Sequence, residues 1–413
     1  MRNRVMMIAL AVLLCTTAML GANGTEEGAE KAEKLVFWHT YSDGETALFE
    51  QTVLPAFEAL GTGIEVEAVR MPYEGLKQQV IAGIAGDAGP DVMRMDLVWV
   101  PEFAKLGGLV PVSQREGFDS LKADFFEGSL ATNYYNGEFY GIPLNTNTKV
   151  AVWNKALLAE LGITELPTTM DDVLKLAQGL EGDDRWPLAI GGAGSWGMLP
   201  WFWTMGGQVT DEAFTRSTGY LDSEASIQAL QTIADLYAQG QVGPCLLGEE
   251  PGTWGGMENG NYLMMDDGPW YYSIVGDSAL ENTVFSTLPA GPGGSVSVVG
   301  GENMVMMSTC ENQDAAWEFM NFMVSPSTQI TMAEVGMIPT RISAATDPEA
   351  AKAPYFTTYV EQLKTAKPRT PHPHWGKISD TLGLAFESVI RGELTAQEAL
   401  PSAAQTIDGF LAK

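Results

Sequence analysis

Cysteine is nearly absent from this chain, with three in 413 residues, too few for a fold built on disulfides. Basic residues are scarce too. Lys and Arg total 23 against 52 Asp and Glu, a formal charge of −29 that repels phosphate backbones and anionic lipid surfaces at long range. Nucleic acid is thereby excluded as a partner. Histidine occurs three times, as His39, His372 and His374, and none has metal-ligand spacing to a cysteine or a His-Glu-x-x-His pattern. Neither a metal nor another cofactor is expected. No apolar run approaches the roughly 20 residues that a membrane span needs.

What the chain does have is core material. Hydrophobic residues make up 45% and charged residues 18%, and the length is two to three times the usual domain, so two cores are expected. The first residues read as an export segment: Arg2 and Arg4, an apolar stretch from Val5 to Leu14, then small residues from Gly21 to Gly24. Cleavage after Ala22-Asn23-Gly24 would start the mature chain near Thr25. Cleavage before Cys15 with lipidation of its thiol is the other reading, and it would tether the protein rather than embed it. Cys245 and Cys310 remain, 65 positions apart, either paired or as two separate buried thiols.

From Lys34 onward short apolar runs alternate with helical patterns. Leu35-Val36-Phe37 is a strand; Ser42 and Glu45 form a capping box before a helix through Phe49, Val53 and Phe57, which Pro55 kinks or restarts. Residues 64–69 alternate with period two, Leu76, Val80 and Ile84 recur at helical spacing, and Asp91 to Met95 is the next strand. Strand, helix, strand, helix, strand implies an α/β unit with a mainly parallel sheet. A second such unit follows Tyr140-Gly141-Ile142-Pro143, with a strand over residues 149–153 and helices capped by Thr169 and by Asp222 or Ser223. Pro289 to Gly294 admits neither helix nor central strand and divides this unit from the apolar strand over residues 296–307.

In open α/β sheets ligands bind beyond the carboxyl ends of the strands. Trp38, His39, Tyr41 and Asp43 follow the first strand here, and Asp96 and Trp99 follow the third. Aromatic faces beside fixed polar groups suit a sugar, whose C–H faces stack while its hydroxyls need acceptors and donors. Trp196, Trp201, Phe202 and Trp203 form a second cluster. Adjacent helical residues sit about 100° apart, so one of the last three is expected to meet solvent or a cleft.

Two patterns are decoys. Gly192, Gly194 and Gly197 match G-x-G-x-x-G, but Pro200 and three large aromatics follow, so the segment reads as a glycine-rich turn beside a pocket rather than a dinucleotide site. Ala193-Gly194-Ser195-Trp196-Gly197 approaches a nucleophile elbow and lacks its first glycine. Paired carboxylates for a glycosidase discriminate nothing among 52 acids, so an extracytoplasmic carbohydrate-active hydrolase stays as the enzyme alternative.

Taken in order, Leu35-Val36-Phe37-Trp38-His39, Gly89-Pro90-Asp91-Val92, the run from Tyr140 to Asn147, Asp267-Gly268-Pro269-Trp270, Gly300-Gly301-Glu302-Asn303 and Ala315-Ala316-Trp317-Glu318-Phe319 resemble the maltose-binding-protein-like family of extracytoplasmic solute-binding proteins of ABC importers. The resemblance spans essentially the whole mature chain. It implies a two-lobed periplasmic-binding-protein fold, with lobe one at residues 34–144 and 296–340, lobe two at 148–290 and 341–413, and a hinge crossed near 144–147, 289–294 and 339–341. It also implies a soluble periplasmic monomer that is not an enzyme and delivers a sugar to the membrane permease subunits of an importer. By the same resemblance the sugar stacks on Trp270 and Trp201, and Tyr41, Asp43, Glu45, Asp96, Asn145, Asn147 and Glu302 supply polar contacts. Arg341 is a ligand contact or a hinge ion-pair partner. Leu199 stands where maltose-binding protein has an acid, so a hydroxyl acceptor is missing and maltose itself is in doubt. A polyol or glycerol-phosphate ligand is the alternative.

Overall fold

A computed structural model describes residues 33–86, 88–176, 179–180 and 184–413; the export segment, Cys15 and the cut near Thr25 lie outside them. The strands, in chain order, are β1 Glu33–His39, β2 Ile64–Arg70, β3 Val92–Asp96, β4 Tyr134–Tyr135, β5 Glu138–Phe139, β6 Ile142–Asn147, β7 Val150–Asn154, β8 Trp186–Ala189, β9 Tyr262–Asp267, β10 Thr283–Ser286, β11 Val298–Met306, β12 Ile338–Pro339 and β13 Lys367–Pro368.

Two main sheets result. One runs β12-β6-β11-β3-β1-β2, with β13 also on β11; the other runs β10-β7-β9-β8. Both are mixed rather than mainly parallel. β1 pairs in parallel with β2 and β3, as expected of strands joined through helices. β11 instead lies antiparallel between β3 and β6, because it arrives from the second sheet. In the second sheet β7 and β9 are antiparallel and only β8 and β9 run in parallel.

The chain passes between the sheets at residues 148–149, again between β10 and β11, and a third time after β12. Residues 350–359 and 375–407 then pack their apolar side chains with those of the second sheet. The first two passages are laced together: Thr148 Oγ1 donates to the Val298 carbonyl at 2.8 Å, and Ser297 Oγ donates to that of Lys149 at 2.8 Å.

Local sequence explains the elements. Ser42 and Glu45 close their capping box. Pro55 has no N–H for the preceding turn, and the helix accommodates it by a π-helical stretch at Phe49–Val53 before restarting at Leu54. β1 alternates, sending Leu35 and Phe37 into one core and Trp38 toward the opposite one. The helix Ser195–Thr204 overturns one expectation: Trp201, Phe202 and Trp203 are all buried. The helix is packed in on the sides that carry these three, and only half-buried Trp196 lies on the face left open to the cleft. Cys245 and Cys310 are both free and lie in separate cores; burial pushes both thiols up, Cys310 to about 12.

Candidate binding cleft

The ends of β1, β3, β6, β9 and β11 converge on a cavity of about 1030 Å³. Its floor is polar. Thr40 follows β1, Arg94 and Asp96 lie on β3, Asn145 on β6 and Glu302 on β11, where Glu302 is in register with both Asp96 and Asn145. Arg94 donates to Thr40 Oγ1 at 2.6 Å and pairs with Glu302 at 2.7 Å, and its guanidinium lies 4.9 Å from the centre of the Tyr41 ring. Asn145 Nδ2 donates to the same Glu302 carboxylate at 2.7 Å. Burial pushes the Glu302 carboxyl above its ordinary range, and Arg94 works against that. Asp96 accepts from the Tyr73 hydroxyl at 2.7 Å and pairs with Arg369 at 3.3 Å.

The opposite wall is aromatic. Trp196 and Trp270, both half-buried, stand with ring centres 6.0 Å apart and planes tilted by 38°. Arg369 covers Trp196 at 4.9 Å and Lys149 approaches it at 5.2 Å. Two glycines make this wall. A side chain at Gly268 would overlap the Trp270 ring, and one at Gly300 would overlap Asn147 and press on Trp196. Behind the wall, Lys149 pairs with buried Asp266 at 3.0 Å. Asp267 accepts from Gly268 N at 2.7 Å and from Trp254 Nε1, and burial holds its carboxyl at about 6. Below the floor, His39 is packed among Phe37, Tyr41 and Phe49. Burial, followed by Arg94 and Arg70, pulls its imidazole down to about 4.

Of the residues expected at the site, Tyr41, Asp43, Glu45, Asp96, Asn145, Asn147, Trp270 and Glu302 line this cavity. Three do not. Trp38 faces the core on the far side of β1, against residues such as Met93 and Phe103. Trp201 is 1% exposed and spends its Nε1 on Asp266 at 3.1 Å, so it braces the wall from behind. Arg341 pairs with Asp124 at 2.7 Å and lies over the Phe125 ring at 5.4 Å, which makes it the ion-pair partner of the two readings.

Sequence reasoning missed Arg94, Arg369 and Tyr73, and from the aromatic cluster it chose Trp201 over Trp196. Arg94 carried a signal: a lone cation inside the apolar run Val92-Met93-Arg94-Met95 is costly to bury without a purpose. Arg369 sits in a segment with no periodicity, and only the pairing of β13 with β11 brings it to the cleft.

The geometry offers planar donors and acceptors on one side of a groove and indole faces on the other. Among the described residues no group of three or more His, Cys, Asp or Glu is placed to hold a metal ion. The family described as bacterial extracellular solute-binding protein matches residues 52–358. The diacetylchitobiose-binding protein DasA of Streptomyces coelicolor is 22% identical, over 82% of this chain and 82% of its own. A galactooligosaccharide-binding protein of Bacillus subtilis is 22% identical over 94% of this chain and 91% of its own. Among solved structures, the GacH receptor of Streptomyces glaucescens, determined unliganded and with acarbose, superimposes with a TM-score of 0.82 at 25% identity, over 92% of this chain and 99% of that one.

Proposed function

The chain belongs to the bacterial extracellular solute-binding proteins, and from that premise we propose that it captures a neutral mono- or oligosaccharide between its two lobes and hands it to the membrane permease of an ABC importer. One observation carries the sugar reading: a single cavity of about 1030 Å³ has a polar floor on one sheet and an indole wall on the other. That division matches a sugar's own division into hydroxyl edges and apolar faces.

Lobe one takes residues 34–144 and 296–340, with β6 extending its sheet to Asn147, and lobe two takes 148–290 and 341–413. The sugar docks on one lobe and the other closes over it. Closure is favoured only by contacts made in the closed form. If the free protein is closed about 1% of the time, reaching 99% needs about 10⁴-fold, or about 5.5 kcal/mol, of differential affinity. Indole stacking at about 1 kcal/mol per ring and hydrogen bonds to charged groups at about 1.5 to 3 kcal/mol each supply that much. No covalent step is needed, so the protein is a binder rather than a hydrolase. The chain acts outside the cytoplasm, free or tethered through Cys15, as a monomer.

A thermal-shift screen against neutral mono-, di- and trisaccharides tests the binding. A rise in melting temperature that grows with sugar concentration is expected, and a flat response to the whole panel refutes the sugar reading. Incubating the same oligosaccharides with the protein should release no new reducing ends; repeated turnover would establish the hydrolase instead.

A further inference from the structure

Every arginine lining the cleft, among the described residues, is held by a carboxylate of the cleft: Arg70 by Asp43, Arg94 by Glu302 and Arg369 by Asp96. The first pair lies at the rim with side chains 48% and 94% exposed, whereas the inner pairs are 7% and 17%, and 9% and 11%. The remaining acid of the lining, Glu45, is turned back onto the Ser42 N–H at 2.7 Å.

Desolvating two ion pairs is a poor route to stability, and uncharged amides would also bond sugar hydroxyls. What the pairs add is a floor with many donors and acceptors and no cationic surplus. An anionic ligand reaching Arg94 or Arg369 must approach Glu302 or Asp96 as well, and that like-charge approach in a partly dry cleft costs more than the arginine returns. Both guanidiniums also keep an Nε with no partner, so each has donor capacity that its carboxylate does not use.

Resting on the sugar-binding reading above, we propose that Glu302 and Asp96 are charge-selectivity determinants: by occupying Arg94 and Arg369 they bar sugar acids and sugar phosphates, and neutralising either one admits an anionic sugar. Selection against an anion thus comes from the acids beside the arginines rather than from a lack of cations.

The test is calorimetry on the full mature protein with a panel of neutral mono- and disaccharides that includes maltose, galactobiose and diacetylchitobiose, and with maltobionate and digalacturonate as the acids. The wild type should bind its best neutral sugar at least a hundredfold more tightly than either acid. Glu302→Gln should narrow that ratio at least tenfold, chiefly by tighter binding of an acid. Because Glu302→Gln leaves Arg94 buried without its partner, Asp96→Asn, which frees Arg369 in a separate pair, is the second variant, and circular dichroism confirms the fold of each. The double variant R94Q/E302Q should return the ratio to the wild-type value. Folded single variants that both keep the wild-type ratio overturn the proposal while leaving the sugar reading intact, as does a wild type that binds acid and neutral sugar alike. A wild type that binds none of the neutral panel removes the sugar reading and this proposal with it.

Discussion

The two sides of the cleft do different physical work. The side of β1, β3, β6 and β11 contributes Thr40, Arg94, Asn145 and Glu302, which are bonded to one another, and Asp96, which is held by Tyr73 and Arg369. The opposite wall contributes Trp196 and Trp270, faces that need no partner of their own. A polar group left without its bond in a dry site costs about 1–3 kcal/mol, so the floor discriminates between ligands; stacking tolerates many rings, so the wall supplies affinity with little choice. The contrast also explains the glycines. Gly268 and Gly300 are needed where flat rings must approach backbone, whereas the floor is set by strand register.

The sharpest way to break the contrast is on the aromatic side itself, between Trp201 and Trp270. Trp201→Ala removes a fully buried side chain and should lower unfolding stability by about 3–5 kcal/mol, read as a shift of the urea midpoint with an unchanged slope. Trp270→Ala should instead weaken sugar binding at least tenfold and leave the melting temperature of the free protein within a few degrees. Equal affinity in wild type and variant would take Trp270 out of the site.

A middle-sized effect tests the two sides through acid titration. His39, beneath the floor, sits at about 4 when folded against an ordinary 6.5. Between those values the unfolded chain binds the extra proton, so this residue makes stability rise with pH across that window, by about 3 kcal/mol in all. Asp267, behind the wall, is raised to about 6 from 3.8. There the folded chain holds the extra proton, so this residue makes stability fall as pH rises from 3.8 to 6, also by about 3 kcal/mol. The two slopes oppose. In denaturant titrations from pH 4 to 6, stability should rise more steeply with pH in Asp267→Asn than in the wild type, and less steeply in His39→Gln. Parallel profiles in all three would refute the assignment.

The smallest effect belongs to the rim. Arg70 and Asp43 are solvent-exposed, so Arg70→Ala should change stability by less than about 1 kcal/mol and fade further in high salt; a larger loss would show that the rim pair is as structural as the floor.

Much of the fold could be read before any coordinates. The capping box at Ser42, the strands around Leu35, Ile64 and Val92, and the break at Pro289 to Gly294 are local events written in local residues. The mixed sheets were not, because the direction in which β11 enters depends on a chain passage rather than on its own composition. The cleft was legible where a site residue follows a strand, as with Asp96 and Trp270. It was illegible where the residue is an arginine carried in by a distant segment, as with Arg369. Choosing Trp201 over Trp196 was an orientation error within one helix: both lie in an all-apolar stretch, and only the packing around that helix, which leaves the Trp196 face open, decides which ring reaches the cavity.

The three passages between sheets have a consequence for how this protein is made. The core around Trp153 and Phe202 is completed by helices at Trp375–Ile390 and Ala396–Leu411, more than 150 residues downstream of either aromatic. A nascent polypeptide released from the ribosome before those helices emerge would carry an open second half, with the helices Ser195–Thr204 and Glu224–Ala238 left bare on the face that the last two cover.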